Sequence, residues 1–334
     1  MSDFRVESTR GDLVESVHRV SVAVVDADGR LVASAGDPDM VTFWRSAAKP
    51  FQALPLLADG AADAFGLDDE ELALACASHS SERMHLEVAA RFLRKIGAAE
   101  EDLACGPHPP LGSAVAEMVA RTGLSLTPRW SNCSGKHAGM LALARHRGWE
   151  TPGYERLGHP VQERMLVEVE RWTGVPRSAM HLAVDGCTAV CFGLPLRGMA
   201  LSYARLARSR DPGAERLRRA ITGHPALIAG TGRFCTELMA AWPGGVIAKV
   251  GAEGVYSAAL LDAALGIAVK VEDGDMRTAP VALMGVLSAL ADRLPAEGQA
   301  ALERLASRGR LPTRNTRGEV TGYLACAGEL RYSD

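Results

Sequence analysis

The sequence has no apolar run approaching the ~20 residues that a membrane-spanning helix needs. It has no C-x-x-C pair, so spacing alone supports no structural zinc tetrahedron. It also lacks the G-x-G-x-x-G and G-x-x-x-x-G-K-[ST] loops that cradle phosphates. Neither charge dominates: 37 Lys and Arg face 40 Asp and Glu, interspersed, for a net charge of -3. That balance argues against nucleic acid or an anionic membrane as partner. Seven scattered cysteines, an odd number, do not make a disulfide framework. The opening Met-Ser-Asp-Phe-Arg-Val-Glu lacks the charged-then-apolar profile of a secretory signal, and the expectation is a cytoplasmic protein with reduced thiols. No repeat, low-complexity tract or obvious linker interrupts the 334 residues, of which 47% are hydrophobic. The material suffices for one large domain or two intimate ones.

Residues 17–35 predict a β-hairpin turning at Asp28-Gly29, and Val41 to Phe43 a short extended piece. From Pro50 to about residue 242 the pattern is mainly helical. Predicted helices include Asp68 to Cys76, Ser81 to Ile96, Lys136 to Arg147, Pro160 to Thr173, Leu201 to Ser209, Gly213 to Thr222 and Arg233 to Trp242. Strand signals return at Gly245 to Val250, Gly254 to Ser257 and Gly266 to Val271. Helices at Val281 to Leu294 and Ala296 to Ser307 follow, with a last strand from Glu319. The predicted fold is therefore α+β: one mainly antiparallel sheet built from the two termini (about 1–45 and 244–334) and a helical region over about 46–243.

Chemistry concentrates in a few stretches. In Phe43-Trp-Arg-Ser-Ala-Ala-Lys-Pro-Phe-Gln52 a hydroxyl, Ser46, stands three residues before an amine, Lys49, a spacing that places both on one face of a helical turn. Serine needs a base to become a nucleophile, and lysine serves only when neutral. The apolar neighbours are expected to push the Lys49 pKa down toward ~7–8, where it can act as a base. Cys76-Ala-Ser-His-Ser-Ser-Glu82 packs hydroxyls and an imidazole between two predicted helices, where the serines also suit ordinary capping. Asn132-Cys-Ser-Gly-Lys-His-Ala-Gly139 puts Lys136 into a first helical turn, against the helix dipole, a local misfit of the kind found at functional positions. Asp185, Gly186 and Cys187 occupy a sharp turn, while Cys76, Cys105, Cys191 and Cys326 read as packing residues. Lys249 lies in an apolar strand, and counting alternate residues leaves open whether it points inward or outward.

Together, Trp44-Arg-Ser-Ala-Ala-Lys-Pro-Phe-Gln52, Ala77-Ser-His-Ser-Ser-Glu82, Asn132-Cys-Ser-Gly-Lys-His137, His159-Pro-Val-Gln162, Asp185-Gly-Cys187 and Lys249-Val-Gly-Ala-Glu-Gly254 resemble the asparaginase II family, the class 3, rhizobial-type L-asparaginases. The motifs run in order over nearly the whole chain. The resemblance implies an α/β/α sandwich like the serine β-lactamases and penicillin-binding proteins, a homodimer, and hydrolysis of L-asparagine to L-aspartate and ammonia. Carried over by motif, Ser46 with Lys49 and Ser78 with Lys249 match two serine-lysine tandems. Cys133, Lys136 and Cys187 match a zinc site, and Arg45, His137 and Asp185 match residues of the substrate pocket; Cys235 matches a further pocket thiol only weakly. Lysine must lose a proton to bind zinc, so the metal expectation rests on the resemblance. Two rivals stand beside this reading. One is another amidohydrolase on the same fold, such as a glutaminase or a β-lactam or D-alanyl peptide hydrolase, although Lys249-Val-Gly251 replaces K-[ST]-G and no S-D-N occurs. The other is a non-catalytic zinc- or thiol-binding protein.

Overall fold

The computed structural model describes residues 3–333. In chain order, strands β1 (Arg5–Arg10), β2 (Leu13–Asp26), β3 (Leu31–Ala35) and β4 (Val41–Phe43) lead into a 3₁₀ turn, Arg45–Ala48, and helix α1 (Lys49–Ala58). Helices α2 (Ala61–Ala64), α3 (Asp69–Ala75), α4 (Arg83–Lys95), α5 (Ser113–Thr122), α6 (Ser134–His146) and α7 (Pro160–Thr173) follow. Strands β5 (His181–Val184) and β6 (Val190–Pro195) precede α8 (Leu196–Arg208), α9 (Pro212–Gly223), α10 (Pro225–Ile228) and α11 (Phe234–Ala241). The chain ends with β7 (Val246–Val250), β8 (Val255–Leu260), β9 (Leu265–Val271), α12 (Thr278–Ala289), α13 (Ala296–Arg304), β10 (Arg310–Arg314), β11 (Val320–Ala327) and β12 (Arg331–Tyr332). Among the described residues no helix is long and apolar enough to cross a membrane.

The chain divides into two compact units. The first comprises Met1–Ala47, Leu194–Arg208 and Leu238–Asp334, and contains an antiparallel sheet in the order β10-β11-β1-β2-β9-β8-β7, with β3 on β2 and β12 on β3. The termini thus build one sheet, as the sequence predicts. Helix α8, which the sequence pattern leaves in the helical middle, belongs to this unit and packs on β9, β2 and β8. Gly266 makes the approach possible, because a Cβ there would sit 1.8 Å from the Ala200 carbonyl oxygen. Register assigns the faces. Gly266 pairs with Val25 of β2, whereas Cys326, whose thiol meets the Val281 carbonyl of α12, pairs through Val6 with His18. Residues 25 and 18 of one strand point to opposite faces, so α8 and α12 cover the two sides. Every residue of β8 and β9 is buried accordingly.

The second unit comprises Ala48–Gly193 and Ser209–Glu237. Its core is α1, which packs on α6, α7 and α9, with α3 between α6 and α9. Helix α7 runs from Pro160, whose missing N–H costs nothing at a first-turn position, to Gly174, which closes it in the left-handed conformation at φ 70°. Helix α3 begins with a full capping box: Asp68 accepts from the backbone of Glu70 and Glu71, and Glu71 reaches back to the Asp68 N–H. The β5–β6 hairpin, unforeseen in the helical middle, turns on residues 185–188.

Candidate active site

In the sheet unit, Lys249 lies on β7 opposite Ser257, in a cross-strand row continued by Ala268 and Ala23. That row shares its face with Val25 and Gly266, the side covered by α8. The strand lysine is therefore inward, and it is 1% exposed. Its amine donates to the Val250 carbonyl at 3.0 Å. Trp44 lies over the same face, its indole N–H donating to Ser257 Oγ at 3.2 Å, and Tyr203 of α8 donates to the Ala47 carbonyl at 2.7 Å. These bonds anchor both ends of the segment that carries Arg45 and half-buried Ser46. The Arg45 guanidinium reaches Glu253, 4.0 Å away, in the turn after Lys249. A second buried lysine, Lys270, braces that turn by donating to the Glu253 and Val271 carbonyls.

In the helical unit, Lys49 opens α1 with its side chain wholly buried. Its Nζ lies 2.5 Å from the Ala77 carbonyl, 3.0 Å from Ser78 Oγ and 3.4 Å from the Asn132 carbonyl. Ser78 sits in a loop between α3 and α4 that is buried from Ala77 to Ser81, an unusual place for so many polar groups. Each is satisfied by a specific partner. The Ser78 N–H donates to Ile228, Arg233 donates to the Ser78 carbonyl, Ser80 Oγ donates to Ala229 and Ser81 Oγ to Trp130. None of the three serines caps α4, whose first turn follows Glu82.

The loop's histidine is fixed as well. Ser81 N–H donates to His79 Nδ1, so the ring proton resides on Nε2, which donates to Ser134 Oγ at 2.9 Å. Ser134 is thus engaged with His79, and α6 starts at a Cys133 N-cap that makes no side-chain cap bond. The rings of His79 and His85 stack at 5.2 Å, although six residues separate them. Burial, reinforced by the charges of neighbouring groups, holds His79 well below its ordinary pKa, and burial lowers His85 too.

Cys133, Lys136 and Cys187 converge in this unit. Lys136 Nζ donates to Cys187 Sγ at 2.9 Å, and the Cys133 thiol donates to Cys187. That donated bond, helped by the Lys136 charge, pulls Cys187 down to about 5, while Cys133, holding the shared proton in a buried place, is pushed up to about 12. Although burial opposes its charge, Lys136 is held above the ordinary lysine range by Cys187, Cys133 and Asp185. Asp185 accepts from the Gly186 N–H at the start of the hairpin turn. Cys105, read from sequence as a packing residue, couples electrostatically to Cys133 and Cys187, and burial drives it to about 12. His137, pushed down to about 3 chiefly by burial, bonds to Tyr154. Cys235 is buried on α11.

Backbone strain marks the same places. Five non-glycine residues among those described have positive φ, and four lie in or beside the motifs: Arg45 at 53°, Ser81 at 57° and Glu253 at 58° within them, and Thr188 at 78° next to Cys187. Such conformations cost of order 1–3 kcal/mol each and persist only where surroundings enforce them. Tyr154 and Thr188 were not singled out from sequence. Each lies in a polar loop whose local pattern carries no signal beyond a turn.

A family model described as L-asparaginase II matches residues 6–326. The chain belongs to the L-asparaginase II family. Membership makes it a hydrolase of the asparaginase type, and the matched span includes every motif above. A search of curated proteins finds no match. Among solved structures the chain is similar to a β-lactamase from Mycobacterium bovis, at 14% identity and TM-score 0.39, covering 85% of this chain and 94% of that one. It is also similar to an octameric penicillin-binding protein homologue from Pyrococcus abyssi, at 13% identity and TM-score 0.44, covering 90% and 79%. A third is a simvastatin synthase from Aspergillus terreus, at 14% identity and TM-score 0.33, covering 75% and 86%.

Proposed function

We propose that this member of the L-asparaginase II family hydrolyses the side-chain amide of L-asparagine, giving L-aspartate and ammonia through serine-lysine chemistry. The observation that carries the reading is the environment of Lys49: a wholly buried amine with Ser78 Oγ and two backbone carbonyls as partners. A neutral amine has two N–H donors and one lone pair. In that form the Ala77 and Asn132 carbonyls would take the two donors and the lone pair would serve for a hydroxyl proton.

In the mechanism, Ser46, one turn before Lys49, attacks the amide carbon as its proton passes to Lys49. The proton is delivered to the departing nitrogen, ammonia leaves, and a β-aspartyl ester remains on Ser46. Water then adds to the ester carbon, gives its proton through the same amine, and the Oγ–C bond breaks to release aspartate. Ser78 with Lys249 relays protons. Arg45 suits the α-carboxylate as a fork and Asp185 the α-ammonium. A second reading, in which Ser78 is the acylated residue, is favoured by its 3.0 Å approach to Lys49.

Cys133, Cys187 and Lys136 are the residues that would hold a zinc ion: two sulfurs and an amine nitrogen converge, with Lys136 Nζ 2.9 Å from Cys187 Sγ, although among the described residues no group of three His, Cys, Asp or Glu side chains surrounds the place. Binding would displace the protons those groups hold, and the bound ion would supply Lewis-acid polarisation. A homodimer in the cytoplasm completes the proposal.

The test measures ammonia release from asparagine and glutamine and the colour change on ring opening of a chromogenic β-lactam, with metal content and molar mass of the same preparation. Asparagine should be the preferred substrate, with glutamine turnover limited by a methylene worth only ~1–3 kcal/mol. Ser46→Ala should abolish turnover, and acid-quenched mass mapping should find the aspartyl group on Ser46. An ester on Ser78 would transfer the nucleophile's role there, and a protein that holds zinc yet releases no ammonia would end the enzymatic reading.

A further inference from the structure

One buried donor is left without a partner at the head of α6. His137 is fully buried, and its Nε2 has no hydrogen-bonding atom of the protein in reach. Its other nitrogen, Nδ1, lies 2.7 Å from the Tyr154 hydroxyl. Tyr154 is itself 1% exposed, and its oxygen accepts from the Ala104 backbone N–H at 2.9 Å. A backbone N–H can only donate, so one lone pair of the phenol is taken. The phenol proton then needs an acceptor, and Nδ1 is the one in contact. This arrangement satisfies Ala104 and Tyr154 together and fixes the imidazole proton on Nε2. Gln162, which donates to the Tyr154 carbonyl, and the Thr188 hydroxyl, which donates to the Ala104 carbonyl, brace the two backbone segments involved.

Leaving a donor unpaired in the interior costs about 1–3 kcal/mol, and native interiors seldom tolerate it without a use. We propose that Tyr154 is a positioning residue that locks His137 as its Nε2–H tautomer, and that this N–H is reserved for an acceptor oxygen, carbonyl or carboxylate, of the amino-acid amide substrate. The proposal rests on the asparaginase reading for the identity of the substrate. The tautomer and its cause stand apart from it. A donor-only atom at this point also sets specificity. It accepts a substrate that presents oxygen there and rejects one that presents an amide NH₂ or ammonium group in the same place, since two donors would then face each other.

The experiment uses the full-length protein labelled with ¹⁵N-histidine, with the His137 signals identified by their loss in His137→Gln. The wild type should show Nε2 protonated and Nδ1 bare, and Tyr154→Phe should introduce a clear population protonated on Nδ1. A wild-type ring protonated on Nδ1, or a tautomer indifferent to Tyr154→Phe, overturns the proposal. Kinetics supply the second readout. Tyr154→Phe should raise KM for asparagine about tenfold, as expected for a weakened hydrogen bond, with kcat changed about threefold or less. An unchanged KM overturns the reserved-donor role. Should Tyr154→Phe fail to fold, the glutamine and asparagine variants decide the matter. The amide nitrogen of Gln reaches the Nε2 position and that of Asn the Nδ1 position, so His137→Gln should keep a KM at least about fivefold lower than His137→Asn. Equal or reversed values refute the assignment. If the wild type releases no ammonia from asparagine while the tautomer result holds, the substrate reading fails and the tyrosine–histidine lock survives.

Discussion

Helices α3 and α6 pack against each other in the same unit, yet they obey opposite rules. Helix α3 opens with Asp68 as cap, three acids in its first turn, and Arg91 and Lys95 of α4 bridging to them. Every term of helix-start electrostatics is met. Helix α6 opens on a cysteine whose side chain caps nothing, carries a lysine and a histidine in its first turn, and buries all residues from Ser134 to Ala144. Its polar groups are satisfied across space: Ser134 by His79, Lys136 by Cys187, His137 by Tyr154. In α6, local stability yields to a constellation assembled from distant segments.

Substitutions in the two helices and their partners put that contrast to the test. The largest effect is expected at the contact itself. A Cβ on Gly135 would lie 2.2 Å from the Leu74 carbonyl oxygen, so Gly135→Ala must push α6 off α3. We expect a loss of about 3 kcal/mol or more in denaturant unfolding, together with loss of activity.

Next comes the thiol cluster. In metal-free protein, thiolate absorbance against pH should place Cys187 near 5. Cys133→Ala removes the principal cause and should return it toward the ordinary range of about 8.5, with Lys136→Met moving it the same way by less. A Cys187 value unmoved by Cys133→Ala would show that the two thiols are not bonded.

The buried imidazoles make stability depend on pH. His79 and His85 titrate below their ordinary range in the folded protein. Unfolding below about pH 6.5 therefore takes up protons, so the stability they confer is present above that pH and declines as pH falls toward their folded values. Each contributes a slope of up to about 1.4 kcal/mol per pH unit, and His79→Gln should flatten the unfolding-midpoint curve between pH 6.5 and 5. A curve of unchanged slope contradicts the neutral, buried assignment.

The smallest effect belongs to the conventional helix. Asp68→Ala should cost about 1 kcal/mol and leave turnover intact, since α3 contributes a cap and no chemistry there.

Much of this molecule can be read from composition and spacing, and the gaps have physical causes. Helix α7 occurs on the residues that its proline and glycine mark. The β2–β3 hairpin turns at Gly29, and the sheet does form from both termini. Lys136 betrayed itself by standing against the helix dipole. The direction of Lys249 was not legible, because a strand's faces are defined only by its neighbours' register, and β7 reaches β2 only through β8 and β9. The membership of α8 in the sheet unit was hidden for a similar reason, although Gly266 within a strand pattern was its one trace. The contact between Lys49 and Ser78 spans 29 residues and the bond between His85 and Ala226 spans 141, distances at which periodicity is silent. Tyr154 left no mark at all: a tyrosine in a turn-rich loop gives no hint that its hydroxyl meets a histidine on a neighbouring helix.

Strand β1 lies between β2, which directly follows it, and β11, where Arg5 pairs with Ala327. During synthesis one side of β1 can zip up almost at once, while the other must wait for Val320–Ala327 to emerge. A ribosome that stalls before residue 320 releases a chain with an open row of amide and carbonyl groups along β1, the template on which nascent chains stick to one another. Strand β1 is thus sealed long after it is made, and a chain cut off before β11 should yield aggregate rather than a shortened enzyme.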